Sequence, residues 1–391
     1  MRARAAVATL VLLTSACTGA GGGADLDRDL GPDAVGLASP AVPDPEPRGP
    51  VAMDDPDAAA VTASLFIRPE QPVTPDLLAA IAAVDGVADV AAPRRDDLAL
   101  VSSAAPNGAA IDAFAPGHRV LVSAVVADDS LEGAPSPGTV LLTGAGAVLR
   151  DLPAGSTVVF EGHAGLVVAV TTAATTAATS VGSAEFVLHP LDADAVGMDA
   201  PERVFASLEA GAGSDRVAAE VQALLGREAF VRVRDVGDGR AFILSLSATK
   251  ARFGEFSFAD RSGVRDITQD SAWIDANIVT TTVPLLGSVT CHRLIIDDLV
   301  TALDAIVAAG LAAEIRPQDY AGCWAPRRTA AGGNLSKHAW GIALDINVDL
   351  ALPGGGEVPH PGVICAFSAA GFRWGGDFPT PDNHHFEWIG Q

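Results

Sequence analysis

The sequence predicts an α+β chain with two folded parts: a separate α+β unit over residues 58–250 and a site-bearing domain over residues 260–391. Three observations predict this. The 391 residues exceed the roughly 250–300 at which a single hydrophobic core stops growing. Strand-like runs and capped helical patterns are mixed along the chain. The composition also changes along its length, because all five Trp and five of the eight His lie beyond residue 270.

The elements follow in order. Residues 1–17 have the form of an export signal. Arg2 and Arg4 give a charged start, Ala5 to Leu13 an apolar stretch, and Leu13-Thr14-Ser15-Ala16-Cys17 a small-residue end. The apolar stretch is too short to span a bilayer. Cys17 stands where a bacterial lipoprotein carries its lipidated cysteine, and the segment resembles a lipobox. The resemblance implies an exported chain, lipid-anchored on the outer face of the bacterial cell membrane. Residues 18–57 are Gly, Asp and Pro with few aromatics, which cannot bury enough surface to order themselves. They read as a disordered tether reaching about 35 Å.

In the unit over 58–250, Ala63 to Ile67 reads as a strand. Thr74-Pro75-Asp76 caps a helix through Val84, Gly86 closes it, and Val87 to Val90 leads into another strand. Strand-like runs follow at Val120–Val126, Val140–Thr143, Ser156–Phe160 and Leu166–Thr171. A second strand–helix–strand pattern covers Val204–Ala210, Asp215–Leu225 and Ala229–Val233. In composition this part resembles the extracytoplasmic domains of bacterial permeases of the MacB/FtsX type. His118 and His163 are isolated in it, and isolated His is usually structural. An adaptor or spacer role is the expectation.

In the C-terminal domain a helix is predicted from His292 to Ala309, with Ile295, Leu299, Leu303 and Ile306 at helical spacing and Gly310 ending it. A second helix spans Val363 to Ala370 and ends at Gly371. Export permits a disulfide, and the three cysteines beyond Cys17 leave one unpaired. Cys291–Cys323 is the preferred bridge, tying the helix start to the loop before the proposed site; Cys365 lies in an apolar helical run and reads as a buried thiol.

The net charge of −23 argues against nucleic acid as a partner, because phosphate binding needs clustered Lys and Arg; the chain has only two lysines, Lys250 and Lys337. After the first twenty residues no apolar run is long enough for a membrane span. No CxxC pair exists, which argues against a thiolate metal site.

Two segments carry chemistry. The first runs Ser336-Lys337-His338-Ala339-Trp340-Gly341-Ile342-Ala343-Leu344-Asp345-Ile346-Asn347. Ile342, Leu344 and Ile346 alternate with Ala343, Asp345 and Asn347, a strand whose apolar face packs inward while Asp345 points the other way. A carboxylate there is costly unless it is paired or binds metal. His338 precedes Asp345 by seven residues, an offset that needs a bend, and Gly341 can supply it. The second segment is Gly371-Phe372-Arg373-Trp374-Gly375-Gly376-Asp377, continuing through Asp382-Asn383-His384-His385-Phe386-Glu387-Trp388. There His385 and Glu387 share one strand face and His384 the other, so only one of the adjacent His readily faces a given metal. Two His, one carboxylate and an open position make a catalytic zinc arrangement. Asp382, three residues before the third ligand, is placed to take a proton from the attacking water.

The joint pattern SxHxxGxAxD followed by DxxHFE resembles the zinc D-alanyl-D-alanine carboxypeptidase family, whose fold is shared with lysostaphin-type peptidases and the hedgehog signalling domain. The likeness covers roughly residues 265–391. It implies one Zn2+ on His338, Asp345 and His385, with Asp382 as general base; some members carry Glu there. It also implies an upstream Arg that stabilises the oxyanion, here Arg327, with Arg328 as the competing candidate. The substrate class it implies is the peptide stem of peptidoglycan, cut at D-alanyl-D-alanine. An L-alanyl-D-glutamate endopeptidase shares the motif, and a zinc-containing wall-binding or regulatory module without turnover is the reading from another class. Retention of Asp382 and an Arg argues against the last.

Around this set, Ser336 is expected to orient the loop, since no GxSxG surrounds it. Glu387 is either a hydrogen-bond partner to a ligand or a plain strand carboxylate. Trp340 and Trp374 either line the substrate groove or pack in the core. His292 and His360 read as capping or surface residues, and Asp377 as a turn residue.

Overall fold

The structure is a computed structural model that describes residues 64–127, 131, 133–162, 165–176, 183–234, 244–330, 334–350, 357–378 and 380–390. The export signal, Cys17, the tether, Ala63 and His163 lie outside the described residues. Those described fall in one compact unit by contacts, and no helix among them is long and apolar enough to cross a membrane.

The chain enters through β1 (Ser64–Arg68), α1 (Pro75–Ala82) and β2 (Val87–Ala91). The Thr74 hydroxyl accepts from Leu77 N at 3.2 Å and Pro75 opens the helix, as the Thr-Pro-Asp signal predicts. The next strands are β3 (Arg95–Ala104), β4 (Ala110–Asp112), β5 (Val120–Val126) and β6 (Thr139–Thr143). Then come α2 (Gly144–Leu149), β7 (Thr157–Glu161), β8 (Val167–Thr176), β9 (Phe186–Leu188) and α3 (Pro190–Ala195). β10 (Val204–Leu208), α4 (Ser214–Leu225) and β11 (Phe230–Arg234) complete the first pattern.

These make two sheets. β11-β1-β10-β2 is a four-stranded antiparallel sheet, with Leu65, Ile67, Val204 and Ala206 packed against Leu77, Ile81, Val217 and Val221 of α1 and α4. The second has the order β4-β3-β5-β9-β6-β8-β7, and β7 pairs back on β3, so six strands close a ring. Leu98, Leu100, Val122, Val140, Val158, Phe160 and Phe186 belong to its core, as the two-residue period of a closed sheet requires. The strand that closes this ring, β3, was not among the predicted runs. Its apolar residues Leu98 and Leu100 are flanked by Arg95, Asp96 and Asp97, which masked the alternation.

Next come α5 (Leu246–Phe253), β12 (Phe258–Asp260), β13 (Ile267–Gln269), α6 (Ser271–Asn277), β14 (Ile278–Val283) and β15 (Gly287–His292). The last elements are α7 (Ile296–Ala308), β16 (Ala343–Asp345), α8 (Pro361–Ala369), β17 (Phe372–Trp374) and β18 (His385–Trp388). The strand order β16-β18-β17 forms the small antiparallel sheet that bears the site. Leu299, Leu303 and Ile306 of α7 are fully buried against it and α8, each burial contributing about 1.5–3 kcal/mol.

The expected helix start at His292 is corrected here. The α7 helix proper begins at Ile296, because His292 ends β15 and its Nδ1 caps a 3-10 turn at Leu294 N, 3.2 Å away. The β14–β15 hairpin precedes it. The Cys291–Cys323 disulfide is present, with Cα atoms 5.3 Å apart, and ties the end of β15 to the loop before the site. Cys365 sits half-buried on α8, outside that disulfide. Residues on the two sides of 250–260 share packing. Leu121 of the ring joins the C-terminal core, and Arg119 and Phe258 exchange main-chain hydrogen bonds at 2.9 and 2.8 Å. Both lysines of the chain are buried beside α5. Lys250 Nζ reaches Leu121 O at 2.8 Å and Glu185 and Glu255 at 2.7 Å; Lys337 Nζ reaches Leu244 O at 2.7 Å and the Thr249 hydroxyl at 2.5 Å.

His292 is fully buried, not at the surface. Its Nε2–H donates to Phe253 O at 3.2 Å. Burial pushes its pKa down to about 4, against the opposing pull of the Phe253 carbonyl. The unfolded chain therefore takes up a proton near pH 6.5 that the folded chain refuses until about pH 4. Stability is full above 6.5 and falls as pH drops through that window, by about 3 kcal/mol in total from this group. Urea unfolding of wild type and His292→Gln between pH 7 and 4 checks this: the variant should lose that part of the slope, and parallel slopes would contradict it.

Candidate metal centre

Ser336-Lys337-His338 opens a 3-10 turn, Lys337–Trp340, whose first amide is capped locally: the Ser336 hydroxyl accepts from His338 N at 3.3 Å. Gly341 ends the turn in the left-handed region at φ 67°, and a Cβ there would lie 2.8 Å from His292 N. Only glycine fits both conditions. This turn and the strand β16 bring His338 and Asp345 to one point. β16 is shorter than the alternation predicts, because Asn347 leaves the strand at φ 55° and its side chain accepts from Arg316 N at 2.8 Å. Asp345 pairs across the sheet with His385.

His338, Asp345 and His385 are all buried, with one ligand atom from each within 4.8 Å of the others. Asp345 Oδ1 lies 3.2 Å from His338 Nε2 and 3.0 Å from His385 Nδ1. Two ligands on one tetrahedral zinc at ~2.0–2.1 Å are about 3.3 Å apart, so the set needs little movement to close on an ion. The outer nitrogens have separate partners. His338 Nδ1 lies 2.8 Å from Cys323 O, and His385 Nε2 lies 3.5 Å from Glu387 Oε2. A proton on each outer nitrogen leaves the inner one as an unprotonated donor, which is how metal-binding histidines are oriented.

The electrostatics point the same way. Burial alone would raise the Asp345 carboxyl, but the hydrogen bonds and charges of both imidazoles hold it well below the usual carboxylate range. Burial would lower His385, yet Asp345 and Glu387 on either side push it up to about 10. Two carboxylates thus flank a buried imidazole, and the site calls for positive charge. A divalent cation fits that demand and the donor set.

Of the competing assignments, His385 faces the cluster; His384 turns away, with Nε2 3.0 Å from Asp382 Oδ1. His384 lines a small cavity of about 80 Å³ with Arg316, Asn347, His360 and Asn383. Arg327 Nη2 lies 3.3 Å from Asp345 Oδ2, beside the cluster. Arg328 is held elsewhere, two nitrogens on Asp260 at 2.6 and 2.9 Å. The Asp382 side chain is 41% exposed. Its backbone is fixed by Asp382 N donating to Gly375 O at 3.0 Å, and a Cβ at Gly375 would meet Asp382 O at 2.7 Å and His385 Cβ at 3.0 Å.

Glu387 Oε2 lies 3.5 Å from His385 Nε2, the contact expected of a carboxylate that partners a candidate ligand. Glu387→Gln should lower Zn2+ affinity about 10–100-fold, measured by chelator competition; an unchanged affinity would make the contact incidental. Trp340 is corrected as a groove residue. It is 2% exposed, its Nε1 donates to Gly254 O at 3.1 Å, and it packs on Phe256. Trp374 is half-buried and donates to Asn383 O at 2.9 Å. His360 caps α8 at Gly362 N, and His118 Nδ1 meets the Ser257 hydroxyl at 3.2 Å.

Sequence reasoning missed three contributors. Cys323 serves the site through its carbonyl, which no side-chain motif can show. Tyr320, the only Tyr of the chain, has a buried hydroxyl with no hydrogen-bond partner among the described residues; burial and the nearby Asp345 charge push it up to about 12. Lys337 is buried next to His338, and lysine's rarity in this chain was the available signal.

Residues 329–388 match the family described as D-alanyl-D-alanine carboxypeptidase. The match contains His338, Asp345, Asp382 and His385 and begins after Arg327. No curated protein matches the chain. Three solved structures are similar at low level. The extracellular domain of the noncanonic ABC-type transporter YknZ from Gram-positive bacteria has 11% identity and a TM-score of 0.29 over 43% of this chain and 99% of that one. The periplasmic region of MacB from Actinobacillus actinomycetemcomitans has 9% identity and a TM-score of 0.30 over 48% and 94%. A domain of a permease protein from Porphyromonas gingivalis has 10% identity and a TM-score of 0.25 over 44% and 90%. Likenesses this low carry no argument about the role of the chain.

Proposed function

We propose that the chain is a zinc metallopeptidase that hydrolyses peptide bonds in peptidoglycan stems, with D-alanyl-D-alanine carboxypeptidase as the leading activity. The observation that carries the reading is the meeting of two oriented imidazoles and one carboxylate inside a segment that matches that family. Held by His338, Asp345 and His385, Zn2+ would supply a Lewis acid for the scissile carbonyl and bring a water pKa toward neutrality.

The protein's own groups do the rest. Glu387 and the Cys323 carbonyl hold the two imidazoles in one tautomer and orientation. Asp382 takes the proton of the attacking water and returns it to the leaving amine. Arg327 faces the charge that develops on the carbonyl oxygen. No side-chain nucleophile is needed, so no covalent intermediate accumulates. Arg327→Ala should lower kcat about 10²–10³-fold and Arg328→Ala should leave it within a few-fold, measured on one stem peptide. The reverse order, a deep loss in Arg328→Ala with Arg327→Ala within a few-fold, would move the role to Arg328.

An export signal and a lipid on Cys17 would put this activity on the outer membrane face, at the wall. Partition of the chain with membranes, lost in Cys17→Ala, reads that anchor. The function is tested by mass spectrometry of defined muropeptides treated with the zinc-loaded chain. Loss of one terminal Ala supports the carboxypeptidase, and cleavage after the first L-Ala the endopeptidase. Bound zinc with no product from any stem would overturn the peptidase reading in favour of a binding module.

A further inference from the structure

The four-stranded sheet contacts the segment that leads into Asp382. Arg232, on β11, donates Nη1–H to Asp377 O at 2.6 Å and sets Nη2 3.0 Å from Asp377 Oδ1, across 145 residues of sequence. Asp377 ends the short 3-10 turn Gly375–Asp377. The carbonyl that opens this turn, Gly375 O, accepts from both Phe378 N and Asp382 N at 3.0 Å. Asp382 O in turn accepts from His385 N at 3.2 Å. The turn thus links Arg232 to the backbone of the candidate base.

The pair is 34% and 45% exposed at its side chains, so it contributes little to stability. Its geometry is the informative part. A guanidinium that binds one residue through both its main-chain and side-chain oxygens fixes direction as well as distance. Arg373 stands beside it on β17, paired across the sheet with Glu387, the partner of His385.

We infer that Arg232 is a positioning residue for Asp382, and that the four-stranded sheet braces the turn carrying the base. The inference rests on Asp382 being the base of the proposed peptidase. A loose turn lets the carboxylate wander from the water it must deprotonate, and a displacement near 1 Å costs on the order of 10²-fold in rate. The sheet therefore acts as part of the catalytic scaffold, not as a spacer.

The test uses the full zinc-loaded chain with Arg232→Ala, Arg232→Lys and, as a half-exposed change that spares the sheet, Asp377→Ala. Arg232→Ala should lower kcat about 10–100-fold with KM and zinc content unchanged, and Arg232→Lys should recover part of it. The amides of Phe378 and Asp382 should exchange with solvent faster in Arg232→Ala. Asp377→Ala should show a smaller loss, since its main-chain oxygen still accepts from Arg232. Wild-type kcat with wild-type exchange in Arg232→Ala would overturn the bracing. So would a kcat loss accompanied by unchanged exchange. If the wild-type chain cleaves no stem peptide, the peptidase reading fails, and exchange alone then decides: faster supports the brace and unchanged overturns it.

Discussion

His338→Ala, Asp345→Asn and His385→Ala should each strip zinc from the chain and abolish hydrolysis, while His384→Ala keeps the metal. Apparent binding of about 10–16 kcal/mol in a structural zinc site of four protein ligands amounts to about 2.5–4 kcal/mol per ligand, or on the order of 10²–10³-fold in affinity. The loss should be largest for Asp345→Asn. That change removes the carboxylate that both imidazole nitrogens approach, and leaves Arg327 beside an uncharged amide. Elemental analysis after dialysis reads zinc per chain for all four variants. Zinc retained in His385→Ala and lost in His384→Ala would reverse the assignment of the adjacent histidines.

Asp382→Asn should lower kcat by about 10²–10⁴-fold, the span that general base catalysis commands, with zinc content and KM unchanged. The amide keeps the size of the side chain but cannot take a proton. The Asp382 carboxylate here lies against His384 Nε2, so His384→Ala separates two roles. A small kcat effect leaves His384 as a rest for the carboxylate, and a loss as deep as that of Asp382→Asn makes the two a working pair. Steady-state kinetics on one stem peptide measures both variants. Asp382→Asn at wild-type kcat would remove Asp382 from the mechanism.

Much of the site was legible because its signals are local. The need for a bend between His338 and Asp345 follows from their odd offset, and Gly341 supplies it at φ 67°. The face shared by His385 and Glu387 follows from strand alternation, and their 3.5 Å contact agrees. The helix caps at Thr74 and His360 are likewise written in adjacent residues. What escaped was set by distant parts of the chain. Arg327 and Arg328 are adjacent in sequence, and only the position of Asp260, 68 residues from Arg328, turns one away from the site. By its sequence Trp340 suits a groove as well as a core, and only Gly254 and Phe256, over 80 residues away, hold it in the core. β3 hid behind its charged start, and its pairing with both β5 and β7 is a fact of closure that no short window contains. The packing of residues 64–234 against the C-terminal domain was missed for the same reason: Arg119, Arg232 and Lys250 carry no pattern of their own.

The central claim is that three side chains from two distant segments hold one ion, and zinc-edge anomalous diffraction from crystals of the zinc-loaded chain tests it most directly. The account predicts a single peak about 2.0–2.1 Å from His338 Nε2 and His385 Nδ1 and about 2.0–2.2 Å from an oxygen of Asp345. A peak seated on His384, or none near these three residues at full loading, would contradict it.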